Sequence, residues 1–264
     1  MKLIHNGKGV IVGCETVRPE DLEGVEVIGC NMTGTEHLPW DEINRQDIKV
    51  ISLKEYPEFL KEITSTAEHT LGLIVALMRN YKMALNGPYR EREAYRGHTL
   101  KGKTLGVIGH GRIGRQMERI AVGGLQMQFV YNDYYRCNGR LHEDRTLEAL
   151  LRESDIVSLH IPLPDNFGFF TKAMFQQMKP TAYLINTSRD GVIEKGALRW
   201  ALENKVIAGA AIDFIDDPEL VEYARTHDNL ILTNHIGGCT HGDMERTEAF
   251  IVDKVNRWFT GEVV

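Results

Sequence analysis

Val107–Gln116 reads VIGHGRIGRQ, with glycines at 109, 111 and 114, an apolar run before them and a segment of helical periodicity after. Taken alone, the spacing fits either a simple glycine turn or a loop built to receive a pyrophosphate. In the second reading each glycine has its own task. Gly109 permits the tight turn, Gly111 lets the backbone approach the anion, and Gly114 allows the helix to pack closely on the strand. The amides of Arg112 and Ile113, at the start of the helix, then point toward negative charge.

The flanking sequence decides between the two. Apolar, β-branched runs begin at Thr104 (TLGVI), Gln128 (QFVYN), Ile156 (IVSLHI), Ala182 (AYLIN), Ile207 (IAGAAI) and Leu230 (LILTN), 23 to 28 residues apart. Helical periodicity fills the gaps, as in RQMERIAV, LEALLRE, KAMFQQM and EKGALRWALEN. Alternation of this kind predicts an α/β fold with a doubly wound parallel (Rossmann) sheet of six strands and helices on both faces. The second run ends at Asp133, 19 residues beyond Gly114. An acid there accepts the adenosine ribose hydroxyls and repels the extra phosphate of NADP, which favours NAD. Arg136 lies close enough in sequence to soften that preference, and a solvated loop acid is the other reading of Asp133.

Before Thr104 the pattern is shorter. GVIVG, VEVIG and IKVISL read as strands of a second, smaller α/β unit. Ser65 and Glu68 have capping-box spacing at the start of a helix over Ala67 to Asn80. LGLIVALM, Leu71 to Met78, makes that helix apolar on almost every side, so it is buried on several faces, within one core or between domains or subunits. MERTEAFIVDKVNRWF, from Met244, reads as an amphipathic closing helix. The expected domains are residues 1–80 completed by 241–264, and residues 81–240.

Composition narrows the class. The chain has 264 residues, 42% hydrophobic and 26% charged, with a net charge of -6 that argues weakly against a nucleic-acid surface. Its four cysteines form no CxxC pair and show no zinc-type spacing with the ten histidines, so neither a disulfide framework nor a metal site is expected. Free thiols in the reducing cytoplasm follow as the expectation. The longest apolar run is far shorter than the roughly 20 residues a membrane span needs, and the amino terminus lacks a signal-peptide pattern.

Three further stretches stand at strand ends: LINTSRDGVIEKGAL, AAIDFIDDP and LILTNHIGG. With GHGRIG and TAEHTLGLIVALMRN they resemble the NAD-dependent D-2-hydroxyacid dehydrogenase family, the group that includes D-3-phosphoglycerate dehydrogenase. The resemblance runs from about Gly9 to Gly261. It implies a Rossmann domain beside a smaller flavodoxin-like α/β domain, and hydride transfer between NAD and C2 of a small 2-hydroxy or 2-oxo acid. The family's catalytic arginine and histidine fall on Arg189 and His235. An arginine fork suits a carboxylate and a carbonyl, and a histidine suits proton exchange with the alkoxide when a carboxylate supports its charged form.

By the same resemblance, His160, Pro162, Thr187, Asp213 and Gly237 lie on the cofactor side, with Asp213 bonding the nicotinamide carboxamide. In CNMTGTEHL the amides around Thr33, Gly34 and Thr35 would receive the substrate carboxylate.

Departures from the family pattern bear on activity. Asp190 follows Arg189 in place of glycine, where it would either orient the guanidinium or compete with substrate, and Asn234 precedes His235 in place of proline. The family's glutamate before proline is Asp217 before Pro218 here, one residue nearer the strand. Asp217 is the expected partner of His235; Glu219 swinging in, or no supporting acid at all, are the other two outcomes. The family's additional amino-terminal βαβα stretch is missing, so the expectation is a truncated substrate domain and a homodimer through the Ala67 to Asn80 region. A non-catalytic NAD-binding regulatory or redox-sensing protein is the rival reading, favoured by the short amino terminus and altered acid and opposed by retention of Arg189 and His235.

Overall fold

The structure, a computed structural model, describes residues 1–134, 144–163 and 165–262. Arg136 and Cys137 lie outside them. The chain divides into two compact units: Met1–Ile63 with Cys239–Val264, and Thr64–Gly238.

The first unit opens with β1 (Lys2–Ile4), β2 (Gly9–Val12), β3 (Val27–Cys30), α1 (Trp40–Arg45), β4 (Lys49–Ser52) and α2 (Pro57–Leu60). Its sheet has the order β1-β2-β3-β4, with β1 antiparallel to β2 and the remaining pairs parallel. Every residue of β2 and β3 is buried, as expected of inner parallel strands covered on both faces, whereas β1 is mostly exposed and carries Lys2 at the edge. Strand β1 is an addition to the three strands read from sequence, because its short run alternates too briefly to stand out.

The second unit comprises α3 (Ser65–Met78), α4 (Tyr81–Asn86), β5 (Thr104–Ile108), α5 (Arg112–Glu118), β6 (Gln128–Asn132), α6 (Leu147–Glu153), β7 (Ile156–Leu159), α7 (Lys172–Phe175), β8 (Tyr183–Asn186), α8 (Ala197–Glu203), β9 (Gly209–Ile212), α9 (Pro218–Thr226) and β10 (Leu230–Leu232). All six apolar runs are strands. They form one parallel sheet, β10-β9-β8-β7-β5-β6, in which β5 is flanked by β6 on one side and β7 on the other. Strand order reverses at β5, and ligands of open α/β sheets bind at the carboxyl ends beside such a reversal. Helix α5 runs on into a π-helical turn, Arg119–Gly124.

The boundary expected at residues 80/81 falls instead at 63/64. Helix α3 buries Ala67, Leu73, Ile74, Leu77 and Met78 in one cluster with Leu105, Val107, Met117, Ile185 and Ala211 of the parallel sheet and α5. That apolar area binds α3 to the second unit more firmly than its position in the chain binds it to the first. The helix also begins at Ser65, with Thr64 at the N-cap position and the Thr64 hydroxyl bonded to Glu68 Oε1 at 2.6 Å, so Thr64 stands where Ser65 was expected.

The closing helix α10 (His241–Phe259) returns to the first unit. It lays Ile251 and Val255 over β3, where only Gly29 leaves room: an added Cβ would stand 2.6 Å from Ile251 and 2.8 Å from Val255.

Candidate functional site

The glycine loop leaves β5 at Gly109, whose φ of +91° is costly for any residue with a side chain. An added Cβ there would also lie 2.4 Å from the His160 carbonyl oxygen at the end of β7. At Gly114 it would lie 2.4 Å from the Gly109 carbonyl oxygen, whereas at Gly111 it would meet nothing within 4 Å. The loop is therefore tight behind and open in front, the shape a pyrophosphate requires. The amides of Ile113 and Gly114 bond to no acceptor among the described residues, as orphan donors of a first helical turn. Asp133 stands at the end of β6, one carboxylate oxygen accepting the His110 N–H at 2.7 Å. The His110 ring is buried, stacked on Tyr131 at 4.2 Å and bonded to Glu118 Oε2 at 2.7 Å.

On the other side of the strand-order reversal, His160 bonds Ser158 Oγ through Nε2 at 2.9 Å, and desolvation drives its pKa down to about 3, which keeps it neutral. Pro162 follows in the same loop and accepts a bond from Asn166 at 2.8 Å. At the end of β8, the buried Asn186 side chain donates to the Arg189 carbonyl at 2.8 Å and accepts the Ser188 amide at 2.9 Å. Asn186 thus shapes the turn that carries Arg189. The Thr187 hydroxyl faces Thr70 of α3 at 2.8 Å.

Asp213, at the end of β9, is the most constrained carboxylate of the region, 2% exposed. Its Oδ1 accepts the Thr233 hydroxyl at 2.6 Å and the Ile236 amide at 3.0 Å, with His69 Nε2 of α3 at 3.0 Å; its Oδ2 accepts the Gly237 amide at 2.7 Å. Burial alone would raise its pKa, but these donors outweigh burial and hold it below the usual carboxylate range. A Cβ at Gly237 would press to 2.7 Å from Oδ2. Between those anchors sits His235, at a left-handed φ of +56°, its amide bonded to the Asp213 carbonyl. Its ring lies 5.2 Å from that of Phe214. Burial and the nearby Arg189 charge push the His235 pKa down, while the Asp213 charge opposes them.

Arg189, Asp213 and His235 are therefore brought together at the ends of β8, β9 and β10; Asp217 is not. Its carboxylate caps α9, Oδ1 accepting the Glu219 and Leu220 amides at 3.0 and 3.1 Å. The Glu219 side chain pairs with Arg199. Neither bonds His235, because a carboxylate one residue nearer the strand falls at the N-cap of α9, where two helix amides compete for it. Asp190 does not pair with Arg189: its Oδ2 accepts the Asp216 amide at 3.0 Å and ties the two loops together. Burial, then the charges of Asp217 and Asp216, raise its pKa.

His69 had no role in the sequence reading. The signal was present, since a histidine and Thr70 stand beside the apolar run of α3, and half-buried polar groups require partners. In the first unit, the amides of Thr33, Gly34 and Thr35 donate to no acceptor among the described residues. The loop is held by Cys30 Sγ on the Gly34 carbonyl at 3.9 Å and by the Leu38 amide and Trp40 indole on the Thr35 carbonyl. Among the described residues, no group of three or more His, Cys, Asp or Glu could hold a metal ion, and no helix is long and apolar enough to cross a membrane.

Comparison with known proteins bears on the family and the fold. Residues 69–237 match the family model described as D-isomer specific 2-hydroxyacid dehydrogenase, NAD binding domain. The D-3-phosphoglycerate dehydrogenase of Haemophilus influenzae is 36% identical over 227 residues, 81% of this chain and 53% of its own. That of Bacillus subtilis is 30% identical over 98% of this chain and 50% of its own, so the chain spans about half the length of these two relatives. The glyoxylate reductase of Thermococcus litoralis is 30% identical, over 92% of this chain and 77% of its own. Among solved structures, the apo D-lactate dehydrogenase of Escherichia coli superposes with a TM-score of 0.85 at 27% identity, covering 97% of this chain and 84% of that one. The chain belongs to the D-isomer specific 2-hydroxyacid dehydrogenase family.

Proposed function

We propose that the protein is an NAD-dependent oxidoreductase acting between a small 2-hydroxy acid and its 2-oxo acid. The observation that carries the reading is the convergence of Arg189 and His235 on the two sides of Asp213, close enough for the guanidinium charge to act on the imidazole. The fit of the cofactor rests on the loop at Gly109, Gly111 and Gly114, open at Gly111 alone, and on Asp133 beside it. Asp133, the orphan amides of Ile113 and Gly114, and Asp213 Oδ2 would hold NAD, whose nicotinamide carries the hydride. Arg189 binds the substrate carboxylate and carbonyl oxygen with its planar fork. His235 Nε2 or Nδ1 gives a proton to the alkoxide in reduction and takes it back in oxidation. In the first unit, the amides of Thr33, Gly34 and Thr35 are donors of the kind a carboxylate accepts.

The first unit, on this reading, is the substrate domain and the second the cofactor domain. The rival, an NAD-binding regulator without turnover, has the displaced Asp217 in its favour and the retained Arg189 and His235 against it. We place the protein in the cytoplasm as a homodimer. Free Cys14, Cys30 and Cys239 suit a reducing compartment, and the exposed Tyr81, Leu85 and Tyr89 after α3 suit a covered surface, which light scattering would report as a doubled mass. Mixing the protein with NADH and glyoxylate, pyruvate, hydroxypyruvate or a phosphorylated analogue, and following absorbance at the nicotinamide band, tests the activity. Oxidation of NADH by at least one acid is expected; tight NADH binding with none oxidised returns the protein to the rival class.

A further inference from the structure

Asp217 and Glu219 are both engaged away from His235, which leaves open what holds the imbedded histidine in place. Asp213 is the carboxylate next to it, and its bonds are informative. Three of its four donors, the Thr233 hydroxyl and the amides of Ile236 and Gly237, come from the very loop that carries His235, and the His235 amide bonds the Asp213 carbonyl as well. The loop is wrapped around one carboxylate, at the cost of a left-handed backbone at His235. The fourth donor comes from elsewhere in the second unit. His69 Nε2, on the first turns of α3, reaches Asp213 Oδ1 at 3.0 Å and Thr233 Oγ1 at 3.1 Å, so it touches both the wrapped carboxylate and the wrapping loop. The Thr70 hydroxyl, one residue on, bonds the Thr187 hydroxyl at the foot of the Arg189 turn, so α3 braces both loops.

We propose that His69 is a positioning residue: by clamping Asp213 and Thr233 it fixes the loop bearing His235 and keeps that ring out of water. The inference rests on the dehydrogenase reading above but does not need Asp217. The charged groups facing His235 are Arg189 at the end of β8 and Asp213 at the end of β9, and His69 on α3 faces Asp213. A side chain without a donor at position 69 loosens the loop and admits water to His235, whose burial is the first cause of its low pKa. Entry of water makes the His235 cation easier to form. Loss of the Asp213 charge does the opposite.

The test combines turnover with a readout that needs none. In His69→Leu, the imidazole carbon-13 titration of His235 is expected to move upward, and kcat for 2-oxo acid reduction to fall roughly 10- to 100-fold, the scale of a reacting group displaced by about 1 Å. His69→Gln keeps an N–H for Asp213 and should recover most of the turnover. Asp213→Asn should move the His235 titration downward, whatever it does to activity. Asp217→Asn, which retains a competent helix cap, should leave both titration and turnover unchanged. If His69→Leu fails to fold, the opposed behaviour of His69→Gln and Asp213→Asn carries the test. The proposal is overturned if the His235 titration is the same in wild type, His69→Leu and Asp213→Asn, if Gln at position 69 is as damaging as Leu, or if Asp217→Asn is the variant that moves it. Failure of the wild-type protein to oxidise NADH with any 2-oxo acid would instead overturn the underlying reading.

Discussion

His235 is where physical chemistry bears most directly on activity. Its pKa lies below the ordinary histidine value of about 6.5, first because the ring is removed from water and then because Arg189 is near. The direction of the consequence follows from which form works. Reduction needs the protonated ring, whose population grows as pH falls through the depressed pKa, so kcat for 2-oxo acid reduction should climb on the acid side of neutrality. Oxidation needs the neutral ring and should hold a plateau down to a lower pH than an ordinary histidine allows. Paired pH profiles in the two directions check this, and a reduction limb centred above about 7 would contradict the buried, Arg189-facing imidazole. Asp190 answers a question at the same scale. A carboxylate beside the substrate arginine need not compete with substrate when an amide from the neighbouring loop already occupies it.

Elements explain why one carboxylate moved off the chemistry and why the glycine loop has no room for a side chain at Gly109 or Gly114. Pro218 at the first position of α9 and Asp217 at its N-cap make a strong helix start, since the proline has no amide to satisfy and the aspartate accepts from the next two. Asp217→Ala should therefore lower stability by about 1 kcal/mol, read as a shift in urea midpoint. Its pH profile of turnover should stay put; a lost acid limb instead would restore Asp217 to the reaction. At the phosphate loop, Gly109→Ala meets both a left-handed backbone and a carbonyl oxygen 2.4 Å from the new methyl. NADH affinity measured by fluorescence should fall at least about tenfold, the factor that ~1.4 kcal/mol represents. Unchanged affinity would mean that the loop does not form the cofactor site.

At the scale of the whole molecule, the chain folds as two units with separate cores, and a perturbation of one should spare the other. Gly29→Val drives a side chain into Ile251 and Val255 of α10, and overpacking of this kind costs roughly 1–3 kcal/mol. The first unit should unfold at lower denaturant while NADH affinity of the second stays at its wild-type value. A single unfolding transition that shifts as a whole, with affinity lost in step, would show the two cores to be one cooperative body. Acid should act on the second unit through Asp213. Its folded-state pKa is held down, so the stability it contributes is complete above the unfolded value of about 3.9 and is lost as pH falls through the folded one.

Sequence alone determined the parallel sheet, the glycine loop, Asp133, and the placing of Arg189, Asp213 and His235 at strand ends. Each of these depends on local spacing: a strand and helix repeat of about 25 residues, or a side chain one to three residues beyond the end of a strand. Tertiary structure decided what depends on competition between distant partners. It gave α3 to the second unit because its apolar face fits that sheet, and it gave Asp217 to the amides of α9. It also brought His69 to Asp213 across 144 residues of chain, a contact that no periodicity encodes.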